Sequence, residues 1–463
     1  MSLPPGSEFS NLSFTKGQFQ SILATSEGKM RAVIRQKISD ALAAPVPVLT
    51  RRDVRLPRVR GKAVAVIGPR RAGKTTFLWQ ILSDRLASGT EREGLLYFNF
   101  EDERLAGMTA SDLHLVIEEY YRLHPEWRDR RRVALFLDEV QAVPGWETFA
   151  RRLLDTEKVE LFLSGSSARL LSREVATSMR GRAKEALVYP FSFREFLRHC
   201  GREPNRPVER LPKAARSALA KDLHEYLMGG GYPEAQGVTG RDLFDLLRGY
   251  VDTAMLRDVV ERHAVSHPLA LRWMVRHLLG NAGGSFSVNR LEKDLRSQGV
   301  RVARDTLHDY LAHLEDAFLV RTVSIATESE RRRMTNPRKA YPIDPGLIPV
   351  FDRSGKANLG HALETAVILE LERRGAEITY VRTPAGLEVD FLARWQGREQ
   401  DLIQVCADLD DPSVRERELR SLMEVSGTNR RARPLVISLT PEPLRNLPDG
   451  VTVRWAADWL LDT

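Results

Sequence analysis

A glycine-rich segment between a short apolar run and a helical pattern constrains the fold of this chain more than any other feature. The run AVAVI, residues 63–67, has the uninterrupted, branched hydrophobicity of a strand buried on both faces. The segment GPRRAGKTT follows it and leads into the helical pattern FLWQIL. Its residues fit the spacing G-x-x-x-x-G-K-[ST] of a phosphate-binding loop, or P-loop, at Gly68, Gly73, Lys74 and Thr75.

The residue types follow from how a P-loop holds a phosphate. Glycines let the backbone wrap the anion, and the N–H groups at the start of the helix point toward it. Lys74 reaches the β- and γ-phosphates, and the hydroxyl of Thr75 is a ligand for Mg²⁺. The sequence therefore predicts ATP and Mg²⁺ as ligands. The predicted ATP-binding residues are Gly68, Pro69, Arg70, Arg71, Ala72, Gly73, Lys74, Thr75, Thr76 and Ser164.

Two later strand ends supply the other polar groups of the predicted site. The run VALFLDEV carries Asp138, expected with Thr75 at the metal, and Glu139, expected beside the attacking water as general base. Because binding alone needs no second acid, the pair favours hydrolysis over nucleotide storage, although Glu139 could also be an ordinary acid at a strand end. Ser164 ends the run VELFLS, where it would sense the γ-phosphate or, alternatively, cap the next helix.

The wider pattern predicts an α/β protein of several domains. Apolar runs at 63–67, 95–100, 133–140 and 159–167 are separated by helix-length segments, which indicates a mostly parallel sheet covered by helices. A length of 463 residues favours three or four domains. A helical region is expected at 11–44.

Composition bounds the partners and the compartment. No apolar run approaches the roughly 18 residues that span a membrane, and Met1–Ser10 lacks the pattern of a signal peptide. Only two cysteines are present, Cys200 and Cys406, and they lie far apart, so we expect a reducing cytoplasm and no membrane partner. A net charge of +8 permits nucleic-acid binding without requiring it.

Three amphipathic helical segments at 269–323 are followed by a strand pair with a basic turn, the order of a winged helix. The third segment, ARDTLHDYLAHLEDAFLV, would present Arg304 to a major groove, and a basic wing-like turn would contact backbone phosphates. Asp305, Asp309, Glu315 and Asp316 lie on or near the same helix, so a protein-docking role is left open beside duplex DNA binding. The predicted DNA contacts are Arg304, Arg331, Arg332, Arg333, Arg338 and Lys339.

The last segment has the order of a restriction-type nuclease, in which a glutamate on a helix precedes an aspartate on a strand. Glu364 and Asp390 fill these positions, and Gln404 stands where a third ligand is usual. Such an enzyme also needs a lysine to neutralise charge on the phosphate, but Cys406 occupies its slot. The sequence therefore predicts a nuclease-like site at Glu364, Asp390 and Gln404 that does not cleave.

Several strings together resemble a family of bacterial and archaeal AAA-type ATPases. They are GPRRAGKTT, YFNFEDERL, LFLDEVQ, LSGSSARLLS, RGRAKEALVYPFSFREFL, GGGYPEA, YVDTAMLRDVVER and IQVCADLDD. In this family the ATPase precedes a winged helix and a C-terminal restriction-nuclease-like domain of unknown function. The resemblance implies that Arg182, in a Gly-Arg motif, contacts a γ-phosphate of its own or a neighbouring subunit, so a homo-oligomer is left open.

The expected organisation combines the residue pattern and the resemblance. It has an N-terminal helical region (1–55), a P-loop ATPase core (56–200), a helical lid (201–265), a winged helix (266–345) and a restriction-nuclease-like α/β domain (346–463). We expect Mg²⁺-dependent ATP hydrolysis by Glu139, Lys74 and Arg182, coupled to duplex DNA binding. Two alternatives stay open, a nucleotide-gated switch that binds a protein partner and an ATP-dependent nuclease.

Overall fold

The apolar runs of the first half pair side by side into one parallel sheet. Within the described residues this sheet has five strands in the order β2-β3-β4-β1-β5, all parallel to their neighbours. Four strands were predicted, and the fifth, β5, adds an edge beside β1. The strands are β1 (Ala63–Ile67), β2 (Leu95–Asn99), β3 (Val133–Asp138), β4 (Val159–Ser164) and β5 (Ala183–Leu187).

A computed structural model describes residues 16–165, 179, 181–335, 337–352, 358–441 and 447–462. The first residues of the predicted N-terminal helix lie outside these ranges, as do residues 166–178, which include most of the string LSGSSARLLS. In the described ranges, no helix combines the length and the apolar character needed to cross a membrane.

Helices cover the parallel sheet because its strands are apolar on both faces. The predicted N-terminal helical region contains α1, which packs on α3 and β2. Arg31 at one end of this contact donates to the buried Glu119 at 2.9 Å. The helices of this half are α1 (Lys16–Ala43), α2 (Lys74–Ala87), α3 (His114–Leu123) and α4 (Trp146–Thr156).

A helical segment follows β5 and returns to the P-loop. Its last long helix does not stop at Thr253 but continues as a π-helical stretch, Ala254–Val260, and a final α-helical turn, Glu261–His263. A π-helix is rare and commonly marks a functional position. The α-helices before it are α5 (Phe193–His199), α6 (Lys213–Gly229) and α7 (Gly240–Thr253).

Helices and a small antiparallel sheet occupy the region predicted as a winged helix. The described sheet has the order β6-β8-β7. Along the chain the elements are α8 (Pro268–Gly280), β6 (Ser285–Phe286), α9 (Val288–Ser297), α10 (Arg304–Asp316), β7 (Val320–Val323), α11 (Glu330–Thr335) and β8 (Arg338–Pro342). The basic turn of the prediction therefore contains a short helix, α11, because its glutamate and arginine residues favour helix.

The C-terminal segment forms a mixed sheet in the order β13-β12-β11-β10-β9. In the described chain, β9, β10 and β11 are antiparallel, whereas β11, β12 and β13 are parallel. Its elements are α12 (Leu347–Phe351), α13 (Leu359–Arg373), β9 (Glu377–Arg382), β10 (Glu388–Arg394), β11 (Gln400–Cys406), α14 (Pro412–Thr428), β12 (Ala432–Ser438), β13 (Thr452–Trp455) and α15 (Ala456–Leu461).

The small sheet and the C-terminal sheet are joined by backbone hydrogen bonds. Tyr380 of β9 donates its N–H to Ser324 O at 3.0 Å, and Ala326 N donates to Tyr380 O at 2.7 Å. One hydrophobic cluster also runs from Ile34 in α1 to Leu460 in α15. This cluster crosses the predicted domain boundaries, while two further clusters lie within the parallel sheet with α2 and within the C-terminal sheet.

Candidate functional site

The P-loop wraps the carboxyl end of β1, and two glycines make its path sterically feasible. Gly68 has φ 147°, and a Cβ atom there would lie 2.0 Å from the Val188 carbonyl oxygen. Gly73 has φ 92°, in the left-handed region, and directly precedes α2. Only glycine fits both positions, so the chain can present the N-terminus of α2 to an anion.

Lys74 folds back into the loop. Its Nζ donates to Gly68 O at 3.1 Å and to Pro69 O at 2.9 Å, and the residue is 6% exposed. Burial lowers the pKa of Lys74 to about 8, against the raising effect of the nearby Glu139 carboxylate. The ammonium group is thus held inside the loop by two carbonyl oxygens, which a phosphate oxygen can replace as stronger acceptors.

Three hydroxyl groups converge on the Asp138 carboxylate at the end of β3. Thr75 Oγ1 donates to Asp138 Oδ2 at 2.8 Å, and Ser164 Oγ donates to Oδ1. The third donor is Tyr97 OH, at 2.7 Å from Oδ2. Asp138 is fully buried, so these donors fix the orientation of its charge. Tyr97 was not among the predicted site residues. The one signal for it in the sequence is a lone hydroxyl in the apolar strand β2, beside β3.

This set of donors fits Mg²⁺ together with a nucleotide. The Thr75 hydroxyl and the Asp138 carboxylate are oxygen ligands of the kind that Mg²⁺ prefers, and it ordinarily keeps waters and phosphate oxygens as its other ligands. Among the described residues, no group of three or more His, Cys, Asp and Glu side chains could hold a metal ion without such help.

Glu139 takes a strained backbone conformation next to this carboxylate. Its φ of 51° lies in the left-handed region, which a non-glycine residue adopts at a cost of about 1–3 kcal/mol. The residue is half-buried, and Gln141 Nε2 donates to its carboxylate. Strain of this kind turns the Glu139 side chain away from the regular alternation of β3.

The other predicted P-loop residues have distinct environments. Pro69 and Ala72 are buried, and Ala72 O accepts a hydrogen bond from the guanidinium of Arg52 at 2.8 Å. Thr76 is exposed in the first turn of α2. Both P-loop arginines form ion pairs, Arg70 with Asp258 and Arg71 with Glu234.

The structure corrects the prediction for Arg182 within its own subunit. Ala63 N donates to Arg182 O at 2.8 Å, so Arg182 lies beside the amino end of β1. The P-loop follows the carboxyl end of the same five-residue strand, roughly 16 Å away. Arg182 pairs instead with Asp155 of α4. A contact with the phosphate of a neighbouring subunit stays a prediction.

The predicted DNA-contacting residues divide into two groups. Arg304, at the start of α10, is more than half exposed and pairs with Glu292 at 3.0 Å. Arg331, Arg332 and Arg333 lie on α11, and Arg338 lies on β8 with its side chain partly exposed.

Lys339 requires a correction, because it is only 3% exposed and cannot contact DNA from this position. Its Nζ lies 2.8 Å from Glu388 Oε1 and 2.9 Å from Asp390 Oδ1. The segment predicted to be nuclease-like thus has a lysine beside Glu388 and Asp390, and β8 of the small sheet supplies it. The sequence analysis placed Lys339 on the surface because a basic turn ordinarily faces solvent.

Asp390 and Gln404 contact each other through a direct hydrogen bond. Gln404 Nε2 donates to Asp390 Oδ2 at 2.9 Å and to Glu418 Oε2 at 2.7 Å. The backbone N–H of Val405 donates to Asp390 Oδ2 at 2.9 Å. Both oxygens of Asp390 therefore already accept hydrogen bonds.

Glu364 is a further carboxylate near Asp390 and Lys339, and together with Glu388 these residues form a largely buried carboxylate cluster. Glu364 accepts a hydrogen bond from Tyr341 OH at 3.2 Å, and a Cβ atom on Gly283 would lie 2.6 Å from its Oε2. Burial raises the pKa of Glu364 well above its usual value, and the Asp390 charge adds to the effect while Lys339 opposes it. The cluster is closed over by the small sheet and by the turn at Gly283.

Comparisons with known proteins identify two matched regions and a similar solved structure. Residues 60–197 match the family model of an AAA domain, AAA_14, and residues 220–356 match a domain of unknown function, DUF8612. The Walker-type ATPase of Pyrococcus abyssi is similar at 15% identity and a TM-score of 0.37, over 69% of this chain and 95% of that one.

Two relatives are more similar in sequence and match over most of their length. The uncharacterized protein MJ1544 of Methanocaldococcus jannaschii is 32% identical over 375 residues, which cover 80% of this chain and 80% of that protein. An uncharacterized protein of Haemophilus influenzae is 28% identical, over 86% of this chain and 93% of its own length. The chain therefore belongs to the same family as MJ1544, and its residues 60–197, which match the AAA model, contain a parallel sheet like that of P-loop ATPases.

Proposed function

We propose that this protein binds and hydrolyses Mg²⁺-ATP and couples turnover to duplex DNA through its small-sheet and C-terminal segments. One observation carries the proposal. The Thr75 hydroxyl, the Asp138 carboxylate and the Ser164 hydroxyl meet within hydrogen-bond distance, beside a P-loop that holds the Lys74 ammonium. No packing requirement explains a fully buried carboxylate with three hydroxyl donors at this position.

The residues of the site have separate roles in this proposal. Lys74 exchanges its carbonyl acceptors for phosphate oxygens, and the backbone N–H groups of the loop hold the inner phosphates. Thr75 and Asp138 hold Mg²⁺, which neutralises charge that develops on the phosphates. Ser164 orients Asp138 and lies at the carboxyl end of β4, next to β1.

Hydrolysis in addition to binding is proposed because of Glu139. Its strained, half-buried position directly after Asp138 suits a general base that accepts a proton from the attacking water. A site that only stores nucleotide needs no second acid. At a strand end without a function, a substitution that relieves the backbone strain would cost no activity.

The proposed DNA contact rests on element order and charge. A helix, a strand, two helices and two further strands with the short helix α11 between them follow in 268–342, which resembles the plan of a winged helix. Arg304 on α10 and the arginines of α11 would meet backbone phosphates. We propose that the closed nuclease-like segment serves as a platform, not as a cleaving enzyme, and that the protein works in the cytoplasm, where ATP is supplied.

The test is an ATPase assay with and without duplex DNA on the parent and on Lys74→Ala. The parent should hydrolyse ATP steadily and faster with DNA. Lys74→Ala should lose hydrolysis because the loop loses the ammonium group that donates hydrogen bonds to the phosphates. Lys213→Ala, an exposed lysine at the start of α6, is the matched control and should behave like the parent. A rate that DNA does not change, together with no DNA binding, would remove the nucleic-acid part of the proposal.

A nucleotide-gated switch with a protein partner is the second candidate. The acids Asp305, Asp309, Glu315 and Asp316 lie on α10, the helix that would otherwise enter a DNA groove, and this observation favours it. A switch should turn over slowly and change its assembly state when ATP binds. The same reactions analysed on a gel test the third alternative, because an ATP-dependent nuclease should cleave DNA in a metal-dependent way that Asp390→Ala abolishes.

A further inference from the structure

Two consecutive arginines of the P-loop reach out of the ATPase sheet to carboxylates of the helical segment. Arg70 donates from Nε to Asp258 Oδ2 at 2.7 Å and from Nη2 to Oδ1 at 2.8 Å. Arg71 donates from Nη1 to Glu234 Oε2 at 3.0 Å, and Tyr250 OH donates to the same oxygen at 2.8 Å. The P-loop is therefore tied to the helical segment at two points.

The two ion pairs differ in burial and geometry. Arg70 and Asp258 form a bidentate pair in which the Asp258 side chain is 6% exposed. Arg71 and Glu234 form a single contact between side chains that are more than half exposed. A bidentate, buried pair is strong and directional, whereas an exposed pair contributes little. The Arg70–Asp258 pair is the one that can hold an element in place.

Asp258 stands on an irregular element. It lies in the π-helical stretch Ala254–Val260, where α7 would otherwise continue with regular hydrogen bonding. An extra residue per turn changes the direction in which a side chain leaves the helix, at a cost in hydrogen-bond geometry. A cost of this kind at the residue that meets the P-loop indicates that the position of Asp258 is under functional demand.

The pair lies at the phosphate end of the site. The carboxylates of Asp258 and Glu139 both act to raise the pKa of Lys74, although burial has the larger, opposite effect. The hydrogen bond that Arg70 donates to Asp258 is the largest cause of the raised pKa of Arg70, and the Glu139 charge adds to it. Arg70 directly follows Pro69, whose carbonyl oxygen accepts from the Lys74 ammonium at 2.9 Å, so the Arg70–Asp258 pair adjoins the phosphate-binding loop.

A guanidinium group binds a carboxylate and a phosphate with the same two-pronged geometry. We propose that Arg70 lets the nucleotide site distinguish ATP from ADP, and that Asp258 holds Arg70 until a γ-phosphate takes it over. ATP then releases the helical segment from the P-loop, whereas ADP, which lacks the third phosphate, leaves the pair intact. This inference rests on the proposed ATP binding and adds how the site distinguishes the two nucleotides.

The test compares ATP and ADP dissociation constants of the parent and of Asp258→Asn. Without the competing charge, Arg70 is available to the γ-phosphate, so we expect ATP to bind about tenfold more tightly while ADP binding stays unchanged. Arg70→Ala should reduce ATP binding toward the ADP level. Glu234→Gln, which weakens the neighbouring exposed pair, is the matched control and should leave the ratio of the two constants unchanged.

A second measurement uses only the parent protein. Backbone hydrogen exchange in residues 254–260 should speed up when a non-hydrolysable ATP analogue binds and should not change with ADP. Equal effects of the two nucleotides on exchange, or an equal change of both dissociation constants in Asp258→Asn, would overturn the inference. If Asp258→Asn does not fold, the exchange result decides. A parent that binds neither nucleotide would instead overturn the proposed function.

Discussion

At the scale of single residues, the Asp138 carboxylate shows how hydrogen bonds order the site. It is fully buried and accepts hydrogen bonds from Thr75, Tyr97 and Ser164, which come from three different elements. A buried charge without such donors would be costly. Of these donors, Tyr97 has no other role in the proposed chemistry, so it is the residue through which the ordering can be tested.

Tyr97→Phe removes one hydroxyl donor and leaves the ring in place. Because a residue that orients a metal ligand commonly contributes 10- to 100-fold to metal affinity, we expect half-maximal ATPase activity to need about tenfold more Mg²⁺. Tyr120→Phe is the control, since Tyr120 loses a bond of the same 2.7 Å length to Glu93 O, which precedes the amino end of β2 and not its carboxyl end, where the site lies. An unchanged Mg²⁺ dependence in Tyr97→Phe would show that Asp138 does not need this donor.

At the scale of elements, strand β8 was assigned to a basic wing, but it supplies the centre of a buried cluster. Lys339 lies 51 positions before Asp390, its partner. The P-loop could be predicted because all its residues lie within one strand, loop and helix. The lysine could not, because its contact depends on how the small sheet packs on the C-terminal sheet, and no local pattern encodes that packing.

Lys339→Met tests whether this cluster holds the two sheets together. The substitution keeps the length of the side chain but leaves Glu388 and Asp390 without their cation, so we expect a loss of about 3–5 kcal/mol in the free energy of unfolding. Lys184→Met changes an exposed lysine on β5 and should have a small effect. Denaturant unfolding of the two variants gives the comparison, and equal stability would contradict a structural role for Lys339.

Glu364→Gln tests the charge state of the same cluster through pH. The raised pKa of Glu364 means that the folded protein holds a proton there that the unfolded chain has lost above about pH 4.5. This contribution to stability is therefore complete at low pH and falls as pH rises. Glutamine removes that fall, so the variant should gain stability relative to the parent between pH 5 and about 8. Glu377→Gln, on an exposed residue, should show no such trend in unfolding titrations.

At the scale of the whole molecule, the ATPase sheet contacts the C-terminal segment directly. Tyr189 OH, just after β5, donates to Glu372 of α13, which also accepts from Arg321 Nε of β7 at 2.9 Å. Arg373 Nη2 donates to Pro190 O at 2.9 Å. The order of elements was largely predictable from sequence patterns. The Tyr189–Glu372 and Arg373–Pro190 contacts were not, because each joins residues 183 positions apart.

Tyr189→Phe removes one of these contacts without touching the nucleotide site. We expect basal ATP hydrolysis to persist and the stimulation by duplex DNA to fall, by roughly fivefold if the contact carries about 1 kcal/mol of coupling. The ratio of rates with and without DNA is the quantity to measure. Stimulation equal to that of the parent would show that coupling does not depend on the Tyr189–Glu372 contact.

Steady-state phosphate release from Mg²⁺-ATP, measured in the parent and in Glu139→Gln, tests whether Glu139 is the general base of hydrolysis. Glutamine keeps the size of the side chain but cannot accept the proton of the attacking water. We expect Glu139→Gln to bind ATP as tightly as the parent while its turnover falls about 10²- to 10⁴-fold. Turnover in Glu139→Gln at the parent rate, or a parent that binds ATP and releases no phosphate, would contradict it.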